Sequence, residues 1–268
     1  MKYLLTILAA ALSALLLDAF WWEPSGLTVR EYELALEAPA LKGLSIAVIA
    51  DLHAGAPYID EAKIDEVVAQ TNAARPDLIL LAGDYVSDRA DGSLRLPLSA
   101  IAEHLKGLEA PLGVYAVLGN HDSRAGSRAV AAALAQAGIL VLDNSHVVIG
   151  RPAGSLVLAG FGEELDTARA LGGLEQQQAL CLVHRPDTLP QLPPSCALTI
   201  AGHTHGGQVA LPLLQGWALD YASRNGVRYP VGVRREDGRT LFVSPGIGTS
   251  WVPVRLGVPP EISLLRIR

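Results

Sequence analysis

The sequence predicts an α/β sandwich with mixed sheets, preceded by one long apolar helix. Three observations predict it. Short runs rich in Val, Ile and Leu recur along the chain and end in polar or glycine-containing turns, the pattern of buried strands. Helical patterns separate the early runs, whereas the later runs follow one another with little helix between, and that change points to mixed sheets. At the N-terminus, residues 1–22 include only Lys2, Thr6, Ser13 and Asp18 outside the apolar set.

Residues 3–22 are long enough to span a bilayer at a helical rise of about 1.5 Å per residue, provided Asp18 lies near one end. Trp21 and Trp22 would then sit at the interface, where amphipathic rings are favoured. The uncharged stretch Leu4–Leu17 also suits a signal peptide, but no small-x-small cleavage site follows it and no twin-arginine pair is present. Residues 1–22 are therefore expected to be an uncleaved membrane anchor, ahead of a signal peptide or an interfacial helix. Lys2 on one flank and Arg30 on the other leave the orientation undecided.

The strand-like runs are Leu44–Ala50, Leu78–Ala82, Val114–Leu118, Leu156–Ala159, Ala179–Val183, Leu198–Ala201, Leu241–Ser244 and Ile262–Ile267. Helices are expected at Asp60–Ala74, Leu98–Lys106 and Ser127–Ala137, the last closed by Gly138. Residues 231–244 read as a hairpin about Glu236-Asp237-Gly238-Arg239. No repeat or low-complexity linker interrupts residues 40–268, which are expected to form one domain.

The chain has 268 residues, 50% of them hydrophobic and 18% charged, with a net charge of −6. That balance excludes a disordered chain, and the lack of a second long uncharged run excludes a polytopic membrane protein. The negative charge argues against a general nucleic-acid binder, so no nucleic-acid partner is expected. Acidic residues predominate up to residue 223 and basic ones after it. Cys181 and Cys196 form no CxxC or metal-spaced pair, and each is expected to be a buried structural thiol.

The informative residues stand just beyond the strands. Asp51-Leu52-His53 follows Leu44–Ala50, and Gly83-Asp84 follows Leu78–Ala82. Gly119-Asn120-His121-Asp122 follows Val114–Leu118, His184 follows Ala179–Val183, and Gly202-His203-Thr204-His205 follows Leu198–Ala201. Ligand sites in open α/β sheets form beyond the carboxyl ends of strands. Each element alone is an ordinary turn. Together they deliver metal-type ligands from five strands to one edge.

This ordered set resembles the signature of the calcineurin-like metallophosphoesterases. His203-Thr204-His205-Gly206-Gly207-Gln208, Ser244–Ser250, Pro253, Arg255 and Pro260-Glu261 are similar to a membrane-anchored phosphodiesterase subgroup, some members of which hydrolyse UDP-2,3-diacylglucosamine in lipid A synthesis. The resemblance implies a four-layer α/β/β/α sandwich with two mixed sheets. It implies two divalent ions, the first held by Asp51, His53, Asp84 and His205, the second by Asp84, Asn120, His184 and His203. Asp84 bridges, because a carboxylate can join two cations whereas a neutral imidazole serves one. Such ions clamp the attacking and leaving oxygens and turn water into hydroxide near neutral pH. Oxygen and nitrogen donors suit Mn, Fe, Zn, Co or Ni.

His121 is implied as the catalytic residue, stabilising the transition state or protonating the leaving group, with Asn120 and His121 contacting the phosphate. Asp122 is a candidate to orient it or to cap a turn; Asp88 is a second candidate partner. Gln208 and Arg124 are candidate substrate contacts, and His104 and His146 are expected at the surface. The basic residues Arg224, Arg228, Arg234, Arg235 and Arg239 could face anionic headgroups or a diphosphate, or form a solvated hairpin. The run Gly83–Ala90 carries an extra residue relative to the phospho-Ser/Thr phosphatases, which speaks against that activity. The soluble lipid A-pathway hydrolases have arginine where His121 stands. The expected activity is hydrolysis of a phosphodiester or pyrophosphate, on a membrane-associated substrate such as UDP-2,3-diacylglucosamine. The alternatives are a phosphomonoesterase or nucleotide phosphodiesterase of the same fold, and a non-catalytic metal-binding scaffold.

Overall fold

Helix α1 (Lys2–Leu17) continues through a π turn at Asp18–Trp22 into the short α2 (Glu23–Ser25). There follow β1 (Thr28–Leu34), β2 (Ser45–Ile49), α3 (Glu61–Ala73), β3 (Leu78–Leu81), α4 (Leu98–Leu105), β4 (Val114–Ala116) and α5 (Asn120–Gln136). The second half holds β5 (Leu140–Val141), β6 (Ser145–Arg151), β7 (Gly154–Gly160), α6 (Thr167–Leu171), β8 (Ala179–Leu182), β9 (Cys196–Ala201), β10 (Gly232–Glu236), β11 (Arg239–Val243) and β12 (Glu261–Ile267). The computed structural model describes residues 2–88, 93–152, 154–174, 176–210, 229, 231–250 and 252–268.

Two mixed six-stranded sheets form, in the orders β1-β12-β2-β3-β4-β5 and β10-β11-β9-β8-β7-β6. Strand pleating assigns alternate residues to opposite faces. Ile46 and Val48 of β2 and Leu80 of β3 meet Leu158, Leu180, Leu198 and Ile200 between the sheets. Ala47, Ile49, Ile79 and Leu81 point the other way, onto Ile64, Val67, Ile101, Leu105, Val130 and Leu134 of α3, α4 and α5. The outer face of the second sheet packs against Ala170, Leu171 and Leu189. The result is the expected α/β/β/α sandwich, and strands covered on both faces read as unbroken apolar runs.

Asp60 starts α3 by accepting the Lys63 N–H at 2.9 Å, an N-cap interaction. The 232–243 hairpin forms as expected, with Asp237 and Gly238 both at positive φ. Three local features differ from expectation. Helix α5 begins at Asn120 instead of Ser127, because Asp122 accepts the Gly119 N–H at 2.9 Å and closes a first turn, while Gly126 at φ +113° interrupts the helical period. β1 is an edge strand whose exposed polar residues conceal it in the sequence, and β6 is an edge strand that exposes Val148 and Gly150. β1 pairs in parallel with β12, so the first sheet takes in Thr28–Leu34, upstream of residue 40.

The third difference concerns the cysteines, which are not free thiols. Cys181 on β8 and Cys196 on β9 form a disulfide, with Cα atoms 5.5 Å apart and both residues fully buried. Their separation of 15 residues conceals the pairing, since it matches no short motif; neighbouring strands supply the proximity.

The N-terminal helix is joined to the domain by more than the chain. Ala19 is buried and its carbonyl accepts the Arg255 N–H at 2.9 Å. The Glu23 carboxylate accepts the N–H groups of Gly257 and Val258 at 2.8 and 2.6 Å. Lys63 Nζ donates to the Ser25 carbonyl, Tyr58 donates its hydroxyl to the Phe20 carbonyl, and Trp21 meets Tyr58 edge to face. Residues 2–17 of α1 bury nothing.

A cross-link closing a loop of this size is worth about 3 kcal/mol through restriction of the unfolded chain. The Cys181→Ala/Cys196→Ala double variant should therefore unfold at lower denaturant concentration than the oxidised protein by about that free energy, measured by urea titration without reductant.

Candidate metal centre

Parallel strands β2, β3 and β4 of the first sheet and β8 and β9 of the second end at one edge. The loops beyond them bring together all the expected ligands. Asp51, His53 and His205 form one group, Asp84, His184 and His203 another, and His53, Asp84 and His121 a third, with the nearest donor atoms in each group within 4.8 Å of one another. Asp84 belongs to two groups. Asn120 joins the second, its Oδ1 3.1 Å from His184 Nε2.

The backbone is bent to do this. Asp51, His53, Asp84, His203 and His205 all have φ between 48° and 73°, a left-handed region that residues with a Cβ rarely enter and that costs about 1 kcal/mol or more each. Hydrogen bonds hold the bends: Asp51 N to the Gly83 carbonyl at 3.0 Å, His53 N to the Asp84 carbonyl at 2.9 Å, and His203 N to both Asp51 carboxylate oxygens at 3.0 and 2.9 Å. Gly119 is needed for space, since a Cβ there would lie 2.2 Å from Asp84 Oδ1.

Hydrogen bonding fixes which imidazole nitrogen faces inward. His53 Nδ1 lies 3.3 Å from the Val86 carbonyl, His205 Nδ1 3.2 Å from the Gly248 carbonyl, and His184 Nδ1 2.8 Å from the Ala82 carbonyl. Carbonyl oxygens only accept, so each Nδ1 carries hydrogen and Nε2 is left as the ligand atom. Burial lowers the pKa of His53 to about 4 and holds His205 well below its usual value, so both are neutral near pH 7. Their Nε2 atoms face each other at 3.2 Å, lone pair to lone pair. A cation between them relieves that repulsion, and the donor set fits divalent metal.

The second group reaches the same end differently. Burial alone would lower His184, but the Asp84 carboxylate 3.4 Å away outweighs it and holds the ring at about 9. A proton on Nε2 there stands in for a cation. His203 Nδ1 lies 3.1 Å from the same nitrogen, and burial followed by His184 charge lowers His203 to about 3. Asp84 is pulled below the ordinary carboxylate range because His184, His53 and His121 together overcome its burial. Burial, with Asp84 adding to it against the pull of His184, pushes Asp51 up to about 7.

His121 stands beside these groups. Its N–H donates to Asp84 Oδ1 at 2.8 Å, and its Nδ1 lies 3.1 Å from Asp88 Oδ1 and 2.7 Å from Arg124 Nη2. The partner of the ring is thus Asp88, not Asp122. Asp122 is buried and accepts the N–H groups of Asp84, Tyr85, Val86 and Gly119, stitching the Asp84 loop to the start of α5.

Gln208, a candidate substrate contact, is instead buried and structural: Nε2 donates to the Val252 and Val254 carbonyls and Oε1 accepts from Ser250. His104 pairs with Asp65 and His146 donates to the Ala170 carbonyl, both half-buried and away from the cluster. Arg239 donates to the Leu189 and Leu192 carbonyls and Arg235 to Ala35, bonds within the fold; Arg224 and Arg228 lie outside the described residues. Arg255 carries a role the sequence reading did not assign. Fully buried, its guanidinium donates to the Pro245, Gly246, Gly248 and Val258 carbonyls, shaping the loop that receives His205 and lies on Asp51. A lone arginine among glycines and prolines after the last ligand was the available signal.

Imidazoles and carboxylates converging at the carboxyl edge of a two-sheet sandwich could hold divalent metal, the arrangement of a phosphoester hydrolase. The chain belongs to the calcineurin-like phosphoesterase family, whose model matches residues 44–207. It is 29% identical over 251 residues to phosphodiesterase YaeI of Escherichia coli (strain K12), covering 91% of this chain and 90% of that protein. It is 27% identical over 244 residues to a Danio rerio protein named transmembrane protein with metallophosphoesterase domain, covering 84% of this chain and 53% of that one, about half its length. Among solved structures, Haemophilus influenzae NAD nucleotidase (NadN) is similar in fold, with a TM-score of 0.51 and 14% identity over 76% of this chain and 45% of that chain.

Two outcomes follow for the centre. Gly119→Ala should fold, judged by circular dichroism, yet bind far less metal by elemental analysis, because Asp84 is displaced. Since protons compete for His184 Nε2, apparent metal affinity should rise with pH and level off above about 9. Calorimetry with Mn²⁺ at pH 7 in buffers of different ionisation enthalpy should show net proton release.

Proposed function

We propose that the protein hydrolyses a phosphodiester or pyrophosphate at a membrane surface, using two divalent ions. The observation that carries the reading is the paired convergence of His53 with His205 and of His184 with His203 on either side of Asp84. Asp51, His53, Asp84 and His205 would hold one ion, and Asp84, Asn120, His184 and His203 the other. When bound, the ions supply Lewis acidity toward the phosphoryl oxygens and lower the pKa of water.

The chain's own contribution centres on His121. In neutral His121, Arg124 donating into Nδ1 leaves the ring proton on Nε2. In the protonated ring, Nδ1 donates to Asp88, whose carboxylate stabilises the charge. Both arrangements keep a proton on Nε2, but only the protonated ring can pass it to the departing oxygen, leaving a neutral imidazole. After transfer, Nδ1–H remains held by Asp88. Asn120 sits between His121 and the second ligand group, and Arg124 is exposed on its outer side, suited to meet a phosphate oxygen.

The membrane part of the reading rests on the helix Lys2–Ser25, apolar and long enough to span a bilayer, of which 6% of the most apolar stretch is buried. Trp21 and Trp22 are exposed at its domain end. The Ala19, Glu23 and Ser25 contacts would hold the domain against the bilayer as a fixed body, favouring a substrate presented there. A lipid-linked substrate such as UDP-2,3-diacylglucosamine is one candidate within this class.

The test is a hydrolysis screen with Mn²⁺ across nucleotide, lipid and sugar-nucleotide phosphates, as monoesters and diesters. Activated phosphodiesters should be cleaved faster than monoesters. His121→Ala should lose about 10²-fold or more in kcat with metal content unchanged, and undiminished turnover would remove His121 from the mechanism. Asp88→Asn should lose less and alter the pH profile of kcat.

A further inference from the structure

Every cysteine of the chain is committed to one bond. The sequence has two, and both lie fully buried in the Cys181–Cys196 disulfide, among Ala159, Val183, Leu241 and Ala170 on the outer face of the second sheet. Neither cysteine belongs to the candidate metal groups, so hydrolysis there does not require the bond. Disulfides of this kind form where the folding chain meets an oxidising environment, and cytosolic thiol pools keep such pairs reduced. Once the strands pack, the bond is out of reach of reductants unless the sheet opens.

From this we infer that the phosphoesterase domain lies on the oxidising, non-cytosolic side of the membrane, with the Lys2 end of the helix on the cytosolic side. The flanking charges do not decide the matter, since Lys2 and Arg30 balance; the disulfide does. This inference rests on the anchor reading above for the word membrane, and on the disulfide alone for the side. It also narrows the substrate. A domain so placed meets phosphodiesters exposed on that face, such as those of lipid headgroups.

The test uses the full-length protein in bacterial membranes. Cells are quenched in acid, and the denatured protein is treated with a mass-tagged maleimide before or after reduction. Spheroplasts are separately exposed to protease. The expected result is no tag without reduction, two tags after it, and digestion of the domain in intact spheroplasts. The Cys181→Ala/Cys196→Ala variant, taking no tag in either condition, assigns the signal. Two tags without reduction, or digestion only after lysis, would overturn the inference. Extraction of membranes with alkaline carbonate separates it from the anchor reading: oxidised, protease-accessible protein released in soluble form would refute the anchor and uphold the side. None of these measurements depends on hydrolytic activity, so an inactive protein in the substrate screen leaves them interpretable.

Discussion

Two imidazole nitrogens, from His53 and His205, face each other 3.2 Å apart with their other ring nitrogens tied to backbone carbonyls. Neutral rings held this way repel, and most of the surrounding architecture is the means of holding them. The rings arrive from different sheets, so the apolar layer between the sheets fixes their separation. The backbone around them occupies left-handed conformations at five ligand positions, and strain of that size persists only where neighbouring hydrogen bonds over-determine it. The Asp122 carboxylate, bonded to four backbone N–H groups, supplies that restraint on the Asp84 side. Burial pushes Asp122 up to about 7, with Asp84 adding to the effect. Arg255 supplies the equivalent on the His205 side.

Arg255 also connects the centre to the N-terminal helix. Its guanidinium organises the carbonyls of Pro245, Gly246 and Gly248, while its backbone N–H bonds the Ala19 carbonyl. A buried guanidinium without a carboxylate in contact is expensive, and burial lowers its pKa to about 10. The four carbonyl acceptors of Nη1 and Nη2 offset part of that expense, and Nε is left without a partner among the described residues. The helix end and the ligand loops are thus parts of one packed unit, and in the proposed arrangement the bilayer sets the orientation of the catalytic edge and not merely its address.

The candidate ligands were legible because their chemistry is local. Asp-x-His, Gly-Asp, Gly-Asn-His-Asp and Gly-His-x-His each stand directly after an apolar run, so both residue type and strand-end position appear in the sequence. The supporting residues were less legible. Asp122 and Asp88 were both visible beside His121, but only the fold shows Asp122 turned toward backbone amides and Asp88 toward the ring. Gln208 looked like a substrate contact from its place in the His205 motif, yet its amide is consumed by the carbonyls of Val252 and Val254. β1 was missed because its exposed Thr28, Arg30 and Glu31 break any apolar run.

By itself the sequence determined the sandwich, the family resemblance, the strand-end positions of the candidate ligands and the apolar N-terminal helix, since each is written in residue type and short-range spacing. The tertiary structure alone decided three things: that Cys181 and Cys196 are bonded, that Asp88 serves His121, and that Arg255 ties the helix to the ligand loops. Each depends on contacts between segments distant in the chain or on the direction of a side chain. Spacing along a chain specifies neither, because packing of the two sheets sets which strand ends and loops become neighbours.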